Sequence, residues 1–267
     1  MIQIDDHGIG HDNIEVMSAD TDRFFKGKIP FLFSILQEVA ARHSTAVGCG
    51  IPQLMATAHR TWVIVRARVE VDRLPDWMET LHIDTWPEEP YRMFAPRFVE
   101  ATGKDGDKVF SVTSHWVMLD VEKKRPVRPS EALEYFRIPD RSEKYINPDI
   151  GRLRIADDFT GFRLPDFIPR MNYYDTDTNK HINNISYINW TCDAFPFSFM
   201  DSHRIKMFDC HWVKQTFDGD DVAVETYSED ADPMNEDEPT FFTRIVRKEA
   251  DGSLTSVFEA ETKWTRR

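Results

Sequence analysis

Asp20-Thr21-Asp22 and Asp175-Thr176-Asp177 each stand just ahead of a helical run, and each run gives way to segments of period two. In the first run Pro30 suits the opening helical turn, and Phe31, Ile35, Val39 and Ala40 mark an apolar face that Gly48 and Gly50 end. In the second, Ile182, Ile185, Ile188, Trp190 and Cys192 to Phe195 recur at three- and four-residue spacing, with Asn183 or Asn184 placed as the N-cap. Strands are expected before the runs, at Ile14 to Met17 and Pro169 to Tyr174. After the first run they are expected at Thr61 to Val71, Leu81 to Trp86, Ala95 to Ala101 and Val109 to Val121. After the second they fall at Ile205 to Phe217, Asp221 to Ser228, Thr240 to Lys248 and Ser253 to Lys263. Thr61 to Val71 is the clearest, with Trp62, Ile64, Arg66, Arg68 and Glu70 opposed to Val63, Val65, Ala67, Val69 and Val71. Strand, helix and antiparallel strands thus occur twice, an internal repeat of α+β class.

From Glu122 to Asp166 the pattern is lost among Pro126, Pro129, Pro139, Pro148 and Pro165, which reads as a linker with one short helix at Ser130 to Phe136. The acidic stretch Glu229 to Glu238 reads as a solvated loop. A net charge of -13 makes nucleic acid or an anionic membrane a poor partner. Cys49, Cys192 and Cys210 form no Cys-x-x-Cys pair, and the N-terminus lacks an apolar signal core, so a reduced, cytoplasmic setting is expected.

The second Asp-Thr-Asp carries the chemistry. Asp175, Asp177, Asn179 and His181 alternate with Thr176, Thr178 and Lys180, so an extended chain would point all four to one side. They arrive at a helix start, where free amides favour developing negative charge. The same offset in the first repeat gives Phe24 and Lys26, so the polar set belongs to one copy. Calcium is rejected, because its loop wants Gly and Glu where Lys180 and Ser186 stand. Zinc is poorly served by one His and two Asp. On spacing alone, an acyl-transfer site and a purely structural set of caps are equally compatible with the run.

Longer motifs go further. ILQEVAARH, TWVIVRARVEVDRLPDWMETLHIDTWP and SHWVMLDVEKKRPVRP in the first half, and DTDTNKHINNISYINW in the second, resemble the acyl-acyl carrier protein thioesterases of bacteria and plant plastids. The resemblance spans about residues 10 to 265. It implies two tandem hot-dog domains, each an antiparallel sheet wrapped round a long helix: residues 1–135 with the acyl-chain pocket, a linker at 136–165, and residues 166–267 with the catalytic motif. It also implies hydrolysis of a fatty acyl thioester on acylated carrier protein, presented through phosphopantetheine, with no cofactor and no metal.

Residue by residue, the family's catalytic Asp, Asn and His fall on Asp177, Asn179 and His181. The resemblance also implies a further Glu, followed by Cys or a small residue, on the next strand. Gln215 and Thr216 stand there instead, ahead of Gly219-Asp220. Gln cannot act as a base, and Thr216 offers no thiolate, which argues against a covalent route. Cys210 nearby reads as a buried, inert thiol. What remains is direct water attack, with Asp177 or His181 activating the water, Asn179 and helix-start amides holding the oxyanion, and Gln215 a hydrogen-bond partner. Carrier protein is acidic, so docking calls for a local basic surface. Lys123, Lys124, Arg125 and Arg128 form one candidate, with Lys180 and Arg170 beside the motif. Hydrolysis of acyl-coenzyme A and non-catalytic acyl binding are the rival readings, and the chain is expected to be a monomer or homodimer.

Overall fold

The computed structural model describes residues 2–129, 133–139, 150, 153, 155 and 159–267. The chain divides into two units, Met1–Ile150 and Gly151–Arg267.

In the first unit, β1 (Gln3–Ile4) and β2 (Gly10–Glu15) form a hairpin, followed by a 3₁₀ turn at Ser18–Asp20. Helix α1 (Ile29–Ala46) carries Pro30 in its first turn, and Gly48 at φ +91° follows its end. Helix α2 (Ile51–Ala58), β3 (Arg60–Val71), β4 (Thr80–Pro87), β5 (Ala95–Thr102), β6 (Lys108–Asp120) and β7 (Arg125–Val127) follow. All pairings are antiparallel, in the order β1-β2-β4-β5-β6-β3, with β7 also on β6. Helix α1 buries Leu32, Phe33, Ile35, Leu36 and Val39. Its His43 meets the sheet, where Arg97 Nη1 of β5 donates to His43 Nδ1 (3.0 Å) and to Thr85 Oγ1 of β4 (3.1 Å). Burial, with the Arg97 cation beside it, pushes His43 down to about 3 and keeps the ring neutral.

The second unit repeats the plan. It contains β8 (Phe162–Arg163), a 3₁₀ turn at Tyr173–Asp175, α3 (Asn184–Asp193), α4 (Phe197–Ser202), β9 (His203–Trp212), β10 (Val222–Ser228), β11 (Thr240–Lys248) and β12 (Leu254–Arg266). The antiparallel order is β9-β12-β11-β10-β8, so β3 to β6 and β9 to β12 share one topology. Tyr187 of α3 stacks on Phe258 of β12 (5.4 Å), and Trp212 Nε1 of β9 donates to the Asn184 carbonyl (3.3 Å). These two aromatic contacts fix the start of α3 against the sheet. Phe195 and Phe199 pack around Trp264 and Phe241 at ring separations of 4.9 to 5.4 Å.

Several expectations are corrected. The strict two-face reading of β3 fails because a bulge between Ile64 and Arg66 leaves Val65 unpaired, so Ile64 is buried with Ala67, Val69 and Val71. No strand forms at Pro169 to Tyr174, whose end is the 3₁₀ turn instead, and β9 stops at Trp212 rather than Phe217. Helices α2 and α4 were not expected. Each buries one residue, Leu54 or Phe199, too little for a periodic apolar face. Of the helix expected at Ser130 to Phe136, residues 130–132 lie outside the described residues and Leu133–Tyr135 is a 3₁₀ turn. Most of the expected linker at 136–165 also lies outside them. The acidic stretch is an exposed loop as expected, anchored at two points: Arg266 Nε reaches Asp237 (2.6 Å), and His203 Nε2 donates to the Glu236 carbonyl (2.9 Å). Among the described residues, no helix is long and apolar enough to cross a membrane.

Candidate active site

Residues 177–181 form a tight hairpin rather than an extended run. The Lys180 amide donates to the Asp177 carbonyl (3.0 Å), and the Asp177 amide to the His181 carbonyl (2.8 Å). Lys180 takes φ +63°, the left-handed residue that closes a three-residue loop of this kind. Thr176 and Ile182 pair below it. Alternation therefore does not place the four side chains on one side. The Asp177 carboxylate holds the turn instead, its Oδ1 accepting from the backbone amides of Asn179 (2.8 Å) and His181 (3.0 Å). Asp175 serves as an anchor, accepting from the Asn172 amide (2.7 Å) and the Ser186 hydroxyl (3.0 Å). Its carbonyl also takes the Asn183 amide (2.7 Å).

The N-cap of α3 is Asn183, whose Oδ1 accepts from the Ile185 amide (2.9 Å) while its carbonyl accepts from the Ser186 amide (2.9 Å). Two helix-start amides counted on for an oxyanion are thus already committed. Asn179 is exposed, Asp177 and His181 half-buried. Among the described residues nothing donates to Asp177 Oδ2, and neither ring nitrogen of His181 is engaged.

The second wall is the loop after β9. Thr216 accepts the Ile182 amide through its carbonyl (2.8 Å), and Phe217 bridges to His181 with the rings edge-on at 5.0 Å. Gln215 lies in this loop and not on a strand, with its side chain exposed and unbonded to the described residues. Thr216 is fully buried, with its hydroxyl beside the Tyr187 phenol, so it is not presented to a substrate as a nucleophile. Cys210 is fully buried in β9.

One residue escaped the sequence reading. Arg247 of β11 donates from Nη1 to the Gln215 carbonyl (2.9 Å) and to Asp220 Oδ2 (3.4 Å), which also accepts the Phe217 amide (2.9 Å). Hydrogen bonds to Glu249 hold the Arg247 guanidinium firmly charged. The signal available was Asp220 itself, an acidic turn residue in need of a cation 27 positions away that periodicity cannot find.

An antiparallel α+β chain with an Asp-Asn-His hairpin opening onto a helix matches solved structures closely in fold. An acyl-ACP thioesterase from Bacteroides thetaiotaomicron superposes with a TM-score of 0.78 at 24% identity, covering 96% of this chain and 98% of that one. The 12:0-ACP thioesterase from Umbellularia californica gives 0.81 at 19%, covering 97% and 98%. The Acyl-ACP thioesterase N-terminal domain family matches residues 10–135 and its C-terminal domain family residues 166–266. The chain belongs to the acyl-ACP thioesterase family. An oleoyl-acyl carrier protein thioesterase of Arabidopsis thaliana is 25% identical over 214 residues, which span 75% of this chain but 58% of that relative.

Proposed function

We propose that the chain hydrolyses fatty acyl thioesters of acyl carrier protein to free fatty acid, by direct attack of water at the hairpin of residues 177–181. The observation that carries this is the pair of family matches over both halves, with the backbone amides of Asn179 and His181 both bonded to the Asp177 carboxylate. His181 activates the water through its unengaged ring nitrogens, while the Asp177 carboxylate, bonded through Oδ1 to two backbone amides, holds the turn that carries it. Asp177 is then a positioning residue. Asn179 donates to the oxyanion, since the Asn183 cap has taken the Ile185 amide; such a donor is worth about 2.7–4 kcal/mol in other acyl-transfer sites. Gln215 hydrogen-bonds the water without taking its proton.

In this reading each unit is a hot-dog domain, with the acyl chain beside α1 in residues 1–135, a linker at 136–165, and the chemistry in residues 166–267. Exposed Lys124, just ahead of β7, and Arg125 at its start offer the basic face for the acidic carrier. The setting is cytoplasmic fatty acid synthesis. Gln215 in place of the family's Glu favours one rival, an acyl-binding protein without turnover. Free thiol release from carrier proteins bearing graded acyl chains decides. Turnover on carrier protein, faster than on the matching acyl-coenzyme A and abolished in His181→Ala, is expected. Acyl groups that stay bound with no thiol released would overturn it.

A further inference from the structure

On the first unit's sheet, far in sequence from the hairpin, four polar side chains converge on one face. His11 and Asp84 are cross-strand partners in β2 and β4, as are Asn13 and His82. His11 Nδ1 lies 2.6 Å from Asp84 Oδ1, and His82 Nε2 lies 3.2 Å from the same oxygen. Each ring's other nitrogen is also occupied: His11 Nε2 faces Asp5 Oδ2 (3.3 Å) and His82 Nδ1 faces Asn13 Oδ1 (3.2 Å). Asp5 is itself fixed, its Oδ1 accepting from the amides of His7 (2.9 Å) and Ile9 (2.8 Å).

With the N–H on each outer nitrogen, donating to the Asp5 and Asn13 oxygens, both imidazole lone pairs turn inward toward the Asp84 oxygen. That tautomer pair makes three facing acceptors, a set that a cation satisfies. We infer that His11, His82 and Asp84 bind a divalent transition-metal ion of the zinc class, with Asp5 and Asn13 orienting the two imidazoles.

The donor set is two nitrogens and one oxygen, with room for a solvent ligand, which suits zinc and its borderline neighbours and not calcium or magnesium. The three ligand atoms lie within 4.8 Å of one another. A tetrahedral ion with bonds of about 2.0–2.1 Å wants them about 3.3 Å apart. To reach it, His11 Nδ1 and Asp84 Oδ1 move apart from 2.6 Å while the two imidazole nitrogens draw together, rotations open to side chains that are 29% (His11) and 49% (His82) exposed. Bound metal would tie the β1–β2 hairpin to β4.

Tag-free protein is titrated with zinc by calorimetry and with cobalt by visible absorbance, alongside thermal melts. One equivalent bound with micromolar affinity, a tetrahedral cobalt band and a raised Tm are expected. His11→Ala and His82→Ala should each weaken zinc by about 100-fold or more, and Asp5→Asn by about 10-fold, as outer partners of ligating imidazoles do. Each variant's circular dichroism and thioester turnover are compared with the parent to separate misfolding from lost ligation. Should either His variant prove misfolded, Asp84→Asn supplies the same comparison. Absence of binding at about 1 mM zinc, or undiminished binding in folded ligand variants, would overturn the site; in the first case the cluster is a proton-shared ion pair.

Discussion

In the first unit Asp22 Oδ1 accepts from the amides of Phe24 (2.8 Å) and Lys26 (3.0 Å). In the second, Asp177 Oδ1 accepts from those of Asn179 (2.8 Å) and His181 (3.0 Å). The correspondence extends outward. Phe25 and Lys180 both take the left-handed conformation, and Thr21 pairs with Gly27 as Thr176 does with Ile182. Gly27 donates to the Pro75 carbonyl (2.7 Å) as Ile182 donates to that of Thr216 (2.8 Å). Glu79 accepts the Asp76 amide as Asp220 accepts that of Phe217, and Arg73 backs the first as Arg247 backs the second. The two loops are one device carrying different side chains. What is shared, including the aspartate, belongs to the fold; what differs, Phe24 against Asn179 and Lys26 against His181, is where chemistry can reside. The first loop even shows an apolar tip, with Phe25 stacked on Trp77 (5.6 Å), where the second is polar.

The largest effect should separate those differing positions. His181→Ala and Asn179→Ala are expected to lower kcat by about 100-fold or more with unchanged Tm, the range for a lost general base or oxyanion donor. Lys26→Ala and Phe24→Ala should leave kcat within a few fold. Steady-state thiol release on all four checks this, and an equal loss at Lys26 would dissolve the distinction between the loops.

The shared aspartates should fail together. Asp22→Ala and Asp177→Ala each strip the acceptor from two turn amides, a cost of about 1–3 kcal/mol. Asn in either place keeps an acceptor oxygen and should restore most of it, read by urea denaturation. Turnover then sharpens the contrast: Asp177→Asn should retain far more activity than His181→Ala. If it falls as low, the carboxylate itself handles the proton.

How much of this was legible beforehand follows the same division. Local signals survived: the Pro30 start of α1, the Asn183 cap, the period of β4, β5 and β10 to β12, and the Asp-Thr-Asp echo. Hairpin geometry at 177–181 did not, because period two in a polar run cannot distinguish a strand from a turn whose carboxylate bonds its own amides. Nor did the β3 bulge, which shifts facing by one residue without altering composition. Arg247 lies on β11 and meets Gln215 only through the fold. That long-range support is testable: Arg247→Ala should reduce kcat by about 10-fold with a smaller change in KM, by loosening the Gln215–Phe217 wall against His181. Arg73→Ala, its counterpart, should affect stability alone.

The smallest effect concerns the left-handed residues. Phe25 at φ +59° and Lys180 at φ +63° carry Cβ atoms where glycine is at ease, and such a conformation costs a side chain about 1–2 kcal/mol. Glycine removes that strain but adds backbone freedom to the unfolded chain, worth roughly 0.5–1 kcal/mol in the other direction. Lys180→Gly should therefore gain up to about 1 kcal/mol, since its exposed side chain has no bond to lose within the loop. Phe25→Gly also forfeits the stack on Trp77, and aromatic pairs contribute about 0.5–1.5 kcal/mol. It should come out neutral or slightly destabilising. Matched urea melts of the two variants would show whether the loops differ only in what they display: a gain at Phe25 as large as that at Lys180 would mean the apolar tip contributes nothing to holding the first loop in shape.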